Sequence, residues 1–538
     1  MNELIRKYAL QNAVQHKGKA SENAVIGMLF SEKKDLDRKT IATVVKRTVL
    51  DVNSLSFEEQ KRQLFLVAPQ GVKRPKKERD ILSNLKLPKP LVTCFPPEPS
   101  KYLHLGHAKA LLLNYEIAKR NKGKFIFRFE DTNPSIVKKE YYSQYLSELS
   151  WLGIKPVKIT YASSQMDKFY NVIKKMLKDG QAYVCFCSSE EIRRSREEGI
   201  CCSCRDDNGQ VSFFDELAKK GDGVIRLKGD LTSLNTTLRD PTLFRVILEK
   251  HPLLGKKYRL WPTYDFETAI MDGLEKVTFR VRSKEFELRS ELHNLIQSIA
   301  GFSKTIYQAI GRLNLDGVPS SGRIIREKIS SGELIGWDDP TLTTLEALRR
   351  RGFCAEAIKN FVLNTGISKA ESTLSWGDLI MQNKRLLDRF ANRYFFVASP
   401  KKVTVLGAHF LNVRVPLHPN DSKMGVRLFK TTNKFYVADA LEDRVVYRFM
   451  HLFNFKDKRF ISTELDSSLG AKLIHWLPVC DDLVKVSVMM PDKSVVSGLG
   501  EKAIKKIKVG EVIQFERFGF CRLDKKEKMK YSFWFTHR

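Results

Sequence analysis

LVTCFPPEPSKYLHLGHAKALLLNYEIAKRNKGKFIFRFED, residues 91–131, is the stretch on which the fold turns. Its first five residues, LVTCF, form a short apolar run of the buried-strand type. A proline-rich turn follows, then apolar positions at helical spacing from Leu105 to Arg120, stopped by Asn121, Lys122 and Gly123. KFIFRFED (124–131) reads as the next strand. Strand, helix, strand in that order is a parallel crossover unit of an α/β domain, whose ligands bind beyond the strand ends.

The turn between strand and helix has a chemical logic of its own. Consecutive prolines stiffen the backbone, so His104 and His107 fall in the first turn of the helix. A helix N-terminus offers unpaired N–H donors and the positive end of a dipole, which suits a phosphate chain. Histidines at i and i+3 share a face and can donate to developing phosphate charge. Gly106 between them leaves the backbone bare for a nucleotide's base or sugar to approach.

Outward from this unit, the 538 residues suffice for several domains, and 42% hydrophobic with 29% charged residues excludes a disordered or fibrous chain. No apolar run is long enough to span a bilayer, and MNELIRKYALQNAVQHKGKA lacks the apolar core of a secretory signal. The expectation is a cytoplasmic protein with no membrane partner. Lys and Arg number 93 against 62 Asp and Glu, a formal net charge of +31, which favours a polyanion such as nucleic acid.

Residues 1–70 read as a helical domain, with helical spacing in IRKYALQNAV and KTIATVVKRTVLDVN, and GVKRPKKERD lies in a basic linker, 71–88. Helical patterns return in 340–395, and from about Ala398 short strands dominate: KKVTVLGA, FLNVRVPL, GVRLFKTTNKFYVAD, DLVKVSVMM, EVIQFERFGFCRLD and YSFWFTH. Their spacing predicts one or two β-barrels. Five of the nine cysteines lie within twenty residues. Cys185 with Cys187 and Cys202 with Cys204 form two C-x-C pairs, which suit a tetrahedral structural zinc, with Cys201 as an alternative to Cys202.

FPPEPSKYLHLGHAKA closely resembles the first signature of the class I glutamyl- and glutaminyl-tRNA synthetases, in its archaeal glutamyl form. RFEDTNP (128–134), the segment 258–292 with PTYDFETAIMDGLEKVTFRVRSKEFELRSEL, GWDDPTLTTLEALRRRGF (336–353) and EVIQFERFGFCRLD (511–524) resemble further blocks of the same family. The resemblance implies a multidomain α/β architecture. A Rossmann catalytic core occupies 89–180 and 256–330, interrupted by a zinc-bearing acceptor-binding insertion at 181–255. A helical stem-contact domain at 331–397 and anticodon-binding β-barrels at 398–538 follow.

It also implies ATP-dependent attachment of L-glutamate to tRNA through glutamyl-adenylate, with Mg2+ accompanying ATP. His104, His107 and Arg323 would act on the phosphates, and Pro97, Gly106, Ser320 and Ser321 would line the ATP site. Glu130 or Asp131 would hold the substrate ammonium, Tyr264 would contact the substrate, and Arg282 would pair with the glutamate carboxylate. The implied partner is tRNA for glutamate, with tRNA for glutamine an open second substrate, and the implied state is a monomer. The rival readings are glutaminylation and a synthetase-like tRNA-binding protein with weakened catalysis.

The chain departs from the family near this site. Cys94 stands where the family has an arginine that contacts the substrate side chain, which predicts a pocket with one cation fewer. Lys101 replaces a glycine, and Lys276 and Phe279 interrupt the Glu-Gly-Val-Thr-His block. The second ATP loop, with a lysine in the family, reads Val318-Pro319-Ser320-Ser321-Gly322-Arg323.

Overall fold

The computed structural model describes residues 2–16, 18–32, 38–67, 85–206, 210–315 and 322–538. The chain divides into two units, 1–80 and 81–538. The first holds helices Asn2–Gln15, Glu22–Glu32, Arg38–Asn53 and Phe57–Val67. Ile5, Ala9 and Ala13, at helical spacing, meet Val25, Leu29, Val45, Val49 and Val52 in one buried cluster. Each fully buried aliphatic side chain of Val or Leu size contributes roughly 1.5–3 kcal/mol. Buried Gln60 ties the unit together by donating to the carbonyls of Val52 and Gly18, at 2.8 and 3.1 Å.

The second unit is built on parallel strands Val92–Phe95, Lys124–Phe129 and Lys158–Tyr161, with Val92 opposite Lys124 and Ile126 opposite Lys158. A second parallel pair, Phe279–Ser283 and Ile306–Ile310, stands beside the first strand. Thr278 N donates to Val92 O at 3.0 Å at the seam, and deeper in, helix Leu105–Arg120 supplies the pairing. The buried Asn114 amide donates to Val281 O at 2.8 Å and accepts from Val281 N at 2.9 Å, replacing ladder bonds with side-chain ones. Both strand groups therefore end beside the same helix N-terminus.

Between these halves lies an antiparallel sheet, Ala182–Cys185, Val224–Leu227, Thr242–Val246 and Leu260–Pro262, adjacent in chain order. Helices Leu345–Arg351, Ala355–Leu363 and Trp376–Phe390 follow. The helical pattern read as far as 395 stops at Phe390, because Ala391 is extended and Arg393–Tyr394 pairs with Val512–Phe515. The C-terminal region is strand-rich, with a seven-stranded mixed sheet and smaller sheets around a second core. Buried Arg427 lies between Glu501 and Glu516, at 2.8 and 2.7 Å. Among the described residues, no helix is long and apolar enough to cross a membrane.

Candidate active site at the crossover helix

The two histidines form a reciprocal cap at the start of helix Leu105–Arg120. His104 Nδ1 accepts from Gly106 N at 3.1 Å, and His107 Nδ1 accepts from His104 N at 3.3 Å. An imidazole nitrogen that accepts must be unprotonated, so each neutral ring carries its proton on Nε2. Burial pushes His104 down to about 4 and His107 well below the ordinary imidazole range. The pair offers N–H donors, not charge. The bare backbone expected at Gly106 has a different cause: a Cβ there would lie 2.9 Å from His104's own ring, so the glycine makes room for the imidazole.

Two cavities meet at this cap. One, of about 420 Å³, is lined by Pro97, Glu130, Tyr264, Glu267, Arg280 and Arg282. The other, of about 380 Å³, runs past His104 and Lys109 to Gly311 and Leu313. Lys101, Gly106, His107 and Ser283 line both.

Arg282 lines the first cavity. Its guanidinium is buried and lies 3.9 Å from the Tyr307 ring centroid, donating to His293 Nδ1 at 3.0 Å and Ser290 Oγ at 2.6 Å. Among the described residues, its Nε has no partner and no carboxylate is ion-paired to it. Burial holds its affinity for its proton below the usual value, as for a charge awaiting a counter-ion. The Tyr264 ring packs 5.3 Å from Phe286 and 5.6 Å from His293.

Cys94 is fully buried with Val92, Ile126 and Val277, and Arg280, on a neighbouring strand within electrostatic reach of the thiol, lines the cavity beside Arg282. Arg280 is neutralised by Asp272 at 2.9 Å, which also binds Arg128 at 2.6 Å; the two guanidiniums hold Asp272 down at about 2.

Of the two acidic candidates, Glu130 lines the cavity and accepts from Thr268 Oγ1 at 2.5 Å. Asp131 does not line it. Its oxygens accept from Tyr142 OH at 2.8 Å and from Ser163 N and Oγ at 2.7 Å, so its acceptors are engaged internally. A residue the sequence reading missed stands closer to the task. Glu267 is 3% exposed, lines the cavity, accepts from Thr132 Oγ1, and leaves Oε1 without a partner. Its one sequence signal is its position three residues after Tyr264, on the same helix face.

Ser320 and Ser321 lie outside the described residues. Arg323 opens helix Gly322–Ser330, is 85% exposed, and pairs with Glu327 at 2.9 Å; it lines neither cavity.

The family description "tRNA synthetases class I (E and Q), catalytic domain" matches residues 90–389, and the anti-codon binding domain descriptions of the same family match 391–470 and 473–524. The chain belongs to the class I tRNA synthetases of the E and Q group. Among relatives, the Glutamate–tRNA ligases of Pyrococcus furiosus and Methanocaldococcus jannaschii are 37% and 36% identical over all of both chains. That of Pyrococcus abyssi is 37% identical over 99% of each.

In this class I synthetase the insertion carries the thiol cluster. Cys185, Cys187, Cys202 and Cys204 place their sulfurs within 4.8 Å of one another, and none is in a disulfide. Cys185 and Cys202 sulfurs are 3.8 Å apart, Cys187 and Cys204 sulfurs 3.9 Å. Zinc–sulfur bonds of about 2.3 Å in a tetrahedron require sulfur separations of about 3.8 Å, so these residues fit the ion. Cys201 is exposed and lies outside the group. Buried Arg226 approaches the Cys185 and Cys202 sulfurs at 3.9 and 3.8 Å.

Proposed function

We propose that this synthetase is a glutamate–tRNA ligase. The observation that carries the reading is Arg282: a buried guanidinium with only neutral partners among the described residues, lining a cavity of about 420 Å³. A glutamate carboxylate supplies the missing counter-charge, whereas the amide of glutamine leaves it buried and uncompensated, at a cost of about 3–5 kcal/mol. The full-length similarity to archaeal Glutamate–tRNA ligases supports the same substrate.

In the first step a glutamate α-carboxylate oxygen attacks the α-phosphorus of ATP and pyrophosphate leaves. In the second, a ribose hydroxyl of the tRNA terminal adenosine loses its proton and attacks the glutamyl carbonyl carbon, and the acyl–phosphate bond breaks with AMP as the leaving group. His104 and His107 donate from Nε2 to phosphate oxygens, with Pro97 and Gly106 beside the nucleotide and Mg2+ carried by the triphosphate. Arg323 is assigned to the phosphate charge of ATP, and Ser320 and Ser321 to the ATP site. Glu130 and Glu267 receive the substrate ammonium, in place of Asp131, while Tyr264 packs on the substrate and Arg282 takes its side chain. Zinc on the four cysteines shapes the insertion and takes no part in the chemistry.

The same reading assigns 1–70 as the N-terminal helical domain, 71–88 as linker, 89–180 and 256–330 as the catalytic halves and 181–255 as the acceptor-binding insertion. It assigns 331–397 to stem contacts and 398–538 to anticodon-binding barrels, in a monomer acting in the cytoplasm. Charging of tRNA for glutamate with labelled glutamate and ATP, beside the same assay with glutamine, tests it. Glutamate charging is expected. Glutamine charging alone would establish the glutaminyl alternative, and tRNA binding without charging by either amino acid would leave a tRNA-binding protein.

A further inference from the structure

We propose that the Lys101 ammonium stabilises the transferring phosphoryl group during amino-acid activation, which makes it a catalytic residue. This rests on the ligase reading. The step forms a bond from a glutamate carboxylate oxygen to the α-phosphorus and breaks the bond from that phosphorus to the bridging oxygen. Pyrophosphate departs with the electron pair, and no proton changes hands. The reacting phosphorus must therefore lie where the amino-acid space meets the nucleotide space. In this molecule that place is the wall shared by the two cavities, and Lys101 stands on it with Gly106, His107 and Ser283.

The developing charge on the equatorial oxygens calls for a cation there. The histidines are neutral donors. Arg280 is neutralised by Asp272, and Arg312 by Glu285. Lys109 is committed to the Gly311 carbonyl at 2.9 Å, and Arg326 to the Ser100 carbonyl at 3.2 Å. Arg282, held by His293 and Ser290, and Arg245 line the first cavity alone. Arg323 is turned onto Glu327. Among the described residues, Lys101 is the full positive charge left at the shared wall, with no ion-paired carboxylate. Nearby Glu98 accepts from Ser100 Oγ at 2.9 Å instead.

Its stem is positioned as well. Lys101 Cδ packs so closely on Gly322 that a Cβ there would come within 2.9 Å, and the Lys101 carbonyl accepts from Tyr145 OH at 2.6 Å. The backbone and methylenes are held while the ammonium is free to meet a ligand.

Lys101→Met keeps the stem and removes the charge; Lys101→Arg keeps the charge. Both are compared with the full-length wild type by ATP–pyrophosphate exchange with glutamate and tRNA present, alongside tRNA binding by fluorescence titration. Lys101→Met is expected to lower kcat about 100-fold, with the glutamate KM within about threefold and tRNA binding unchanged, as for loss of one transition-state donor. Lys101→Arg is expected to recover part of the loss, and Arg323→Met to lose less than Lys101→Met. A wild type that charges glutamate while Lys101→Met activates it within threefold of the same rate overturns the assignment and leaves the ligase reading intact. Loss of tRNA binding in Lys101→Met alongside activity would mark a structural role and also overturn it. A wild type that charges no glutamate at all overturns the ligase reading itself.

Discussion

Arg282 Nη1 donates to His293 Nδ1 at 3.0 Å, while His293 Nε2 donates to Asp265 at 2.9 Å. The relay fixes one tautomer: Asp265 takes the Nε2 proton, and Nδ1 is left as the acceptor that aims the guanidinium. Burial keeps His293 down at about 4, so the ring is neutral throughout the physiological range. Protonation at Nδ1 would set two cations face to face.

Arg282→Gln is therefore expected to raise the glutamate KM by about 100-fold or more while leaving the ATP KM within about threefold, since a buried charge-assisted bidentate contact is lost. His293→Phe is expected to raise it by about tenfold, because the arginine stays but loses its orientation. Steady-state kinetics with glutamate varied at saturating ATP and tRNA checks both. An unchanged glutamate KM in Arg282→Gln would remove Arg282 from the substrate pocket.

Glu267 gives the pocket a second, proton-linked signature. Burial first, then the neighbouring Glu130 carboxylate, pushes its carboxyl well above the ordinary range. An arriving ammonium favours the ionised form, so glutamate binding should release a proton and tighten as pH rises. Calorimetry in buffers of different ionisation enthalpy reads that proton directly. Glu267→Gln should abolish the release and weaken glutamate about tenfold, while sparing an analogue with a hydroxyl in place of the amine.

What the sequence conveys about this site divides along a physical line. Periodicity and turn chemistry are local, so helix Leu105–Arg120 and its histidine cap are legible from residues 91–131 alone. The insertion sheet is not, because its strands are three to five residues long and too short to show a period. Charge balance is non-local: Cys94 and Arg280 are distant in sequence, yet neighbouring strands bring the guanidinium within electrostatic reach of the thiol. Asp131 and Glu130 are adjacent in sequence, yet only packing against Ser163 and Tyr142 turns Asp131 inward. Glu267 looks like a solvent-facing helical glutamate until Thr132 is placed against it.

The thiol cluster should bind one zinc per chain, measurable with a chromophoric chelator after thiol modification. Cys187→Ser is expected to lower zinc content and make the insertion sensitive to proteolysis while the N-terminal helices keep their protection, since a structural zinc supplies local folding free energy. Arg226→Met is expected to keep the fold but speed zinc release on treatment with an electrophilic thiol reagent, because the unneutralised thiolates become more nucleophilic. Full zinc retention in Cys187→Ser would exclude the four-sulfur site.

Glu148 should make stability fall as the solution becomes alkaline. It is fully buried on helix Lys139–Trp151, receives one long bond from Gln144 at 3.4 Å, and leaves Oε2 without a partner. Burial pushes its carboxyl up to about 8, against about 4.3 in an unfolded chain. Below about pH 4.3 both states hold the proton and the group is indifferent. Between the two values the folded state keeps a proton that the unfolded state has released, so each pH unit costs up to about 1.4 kcal/mol of stability. Above about 8 the penalty is complete. Glu148→Gln keeps the shape without an ionisable proton, so its Tm should match the wild type near pH 5 and exceed it by several degrees at pH 8.5. Thermal unfolding across that range checks it: parallel Tm profiles for the two proteins would mean that Glu148 remains ionised in the fold.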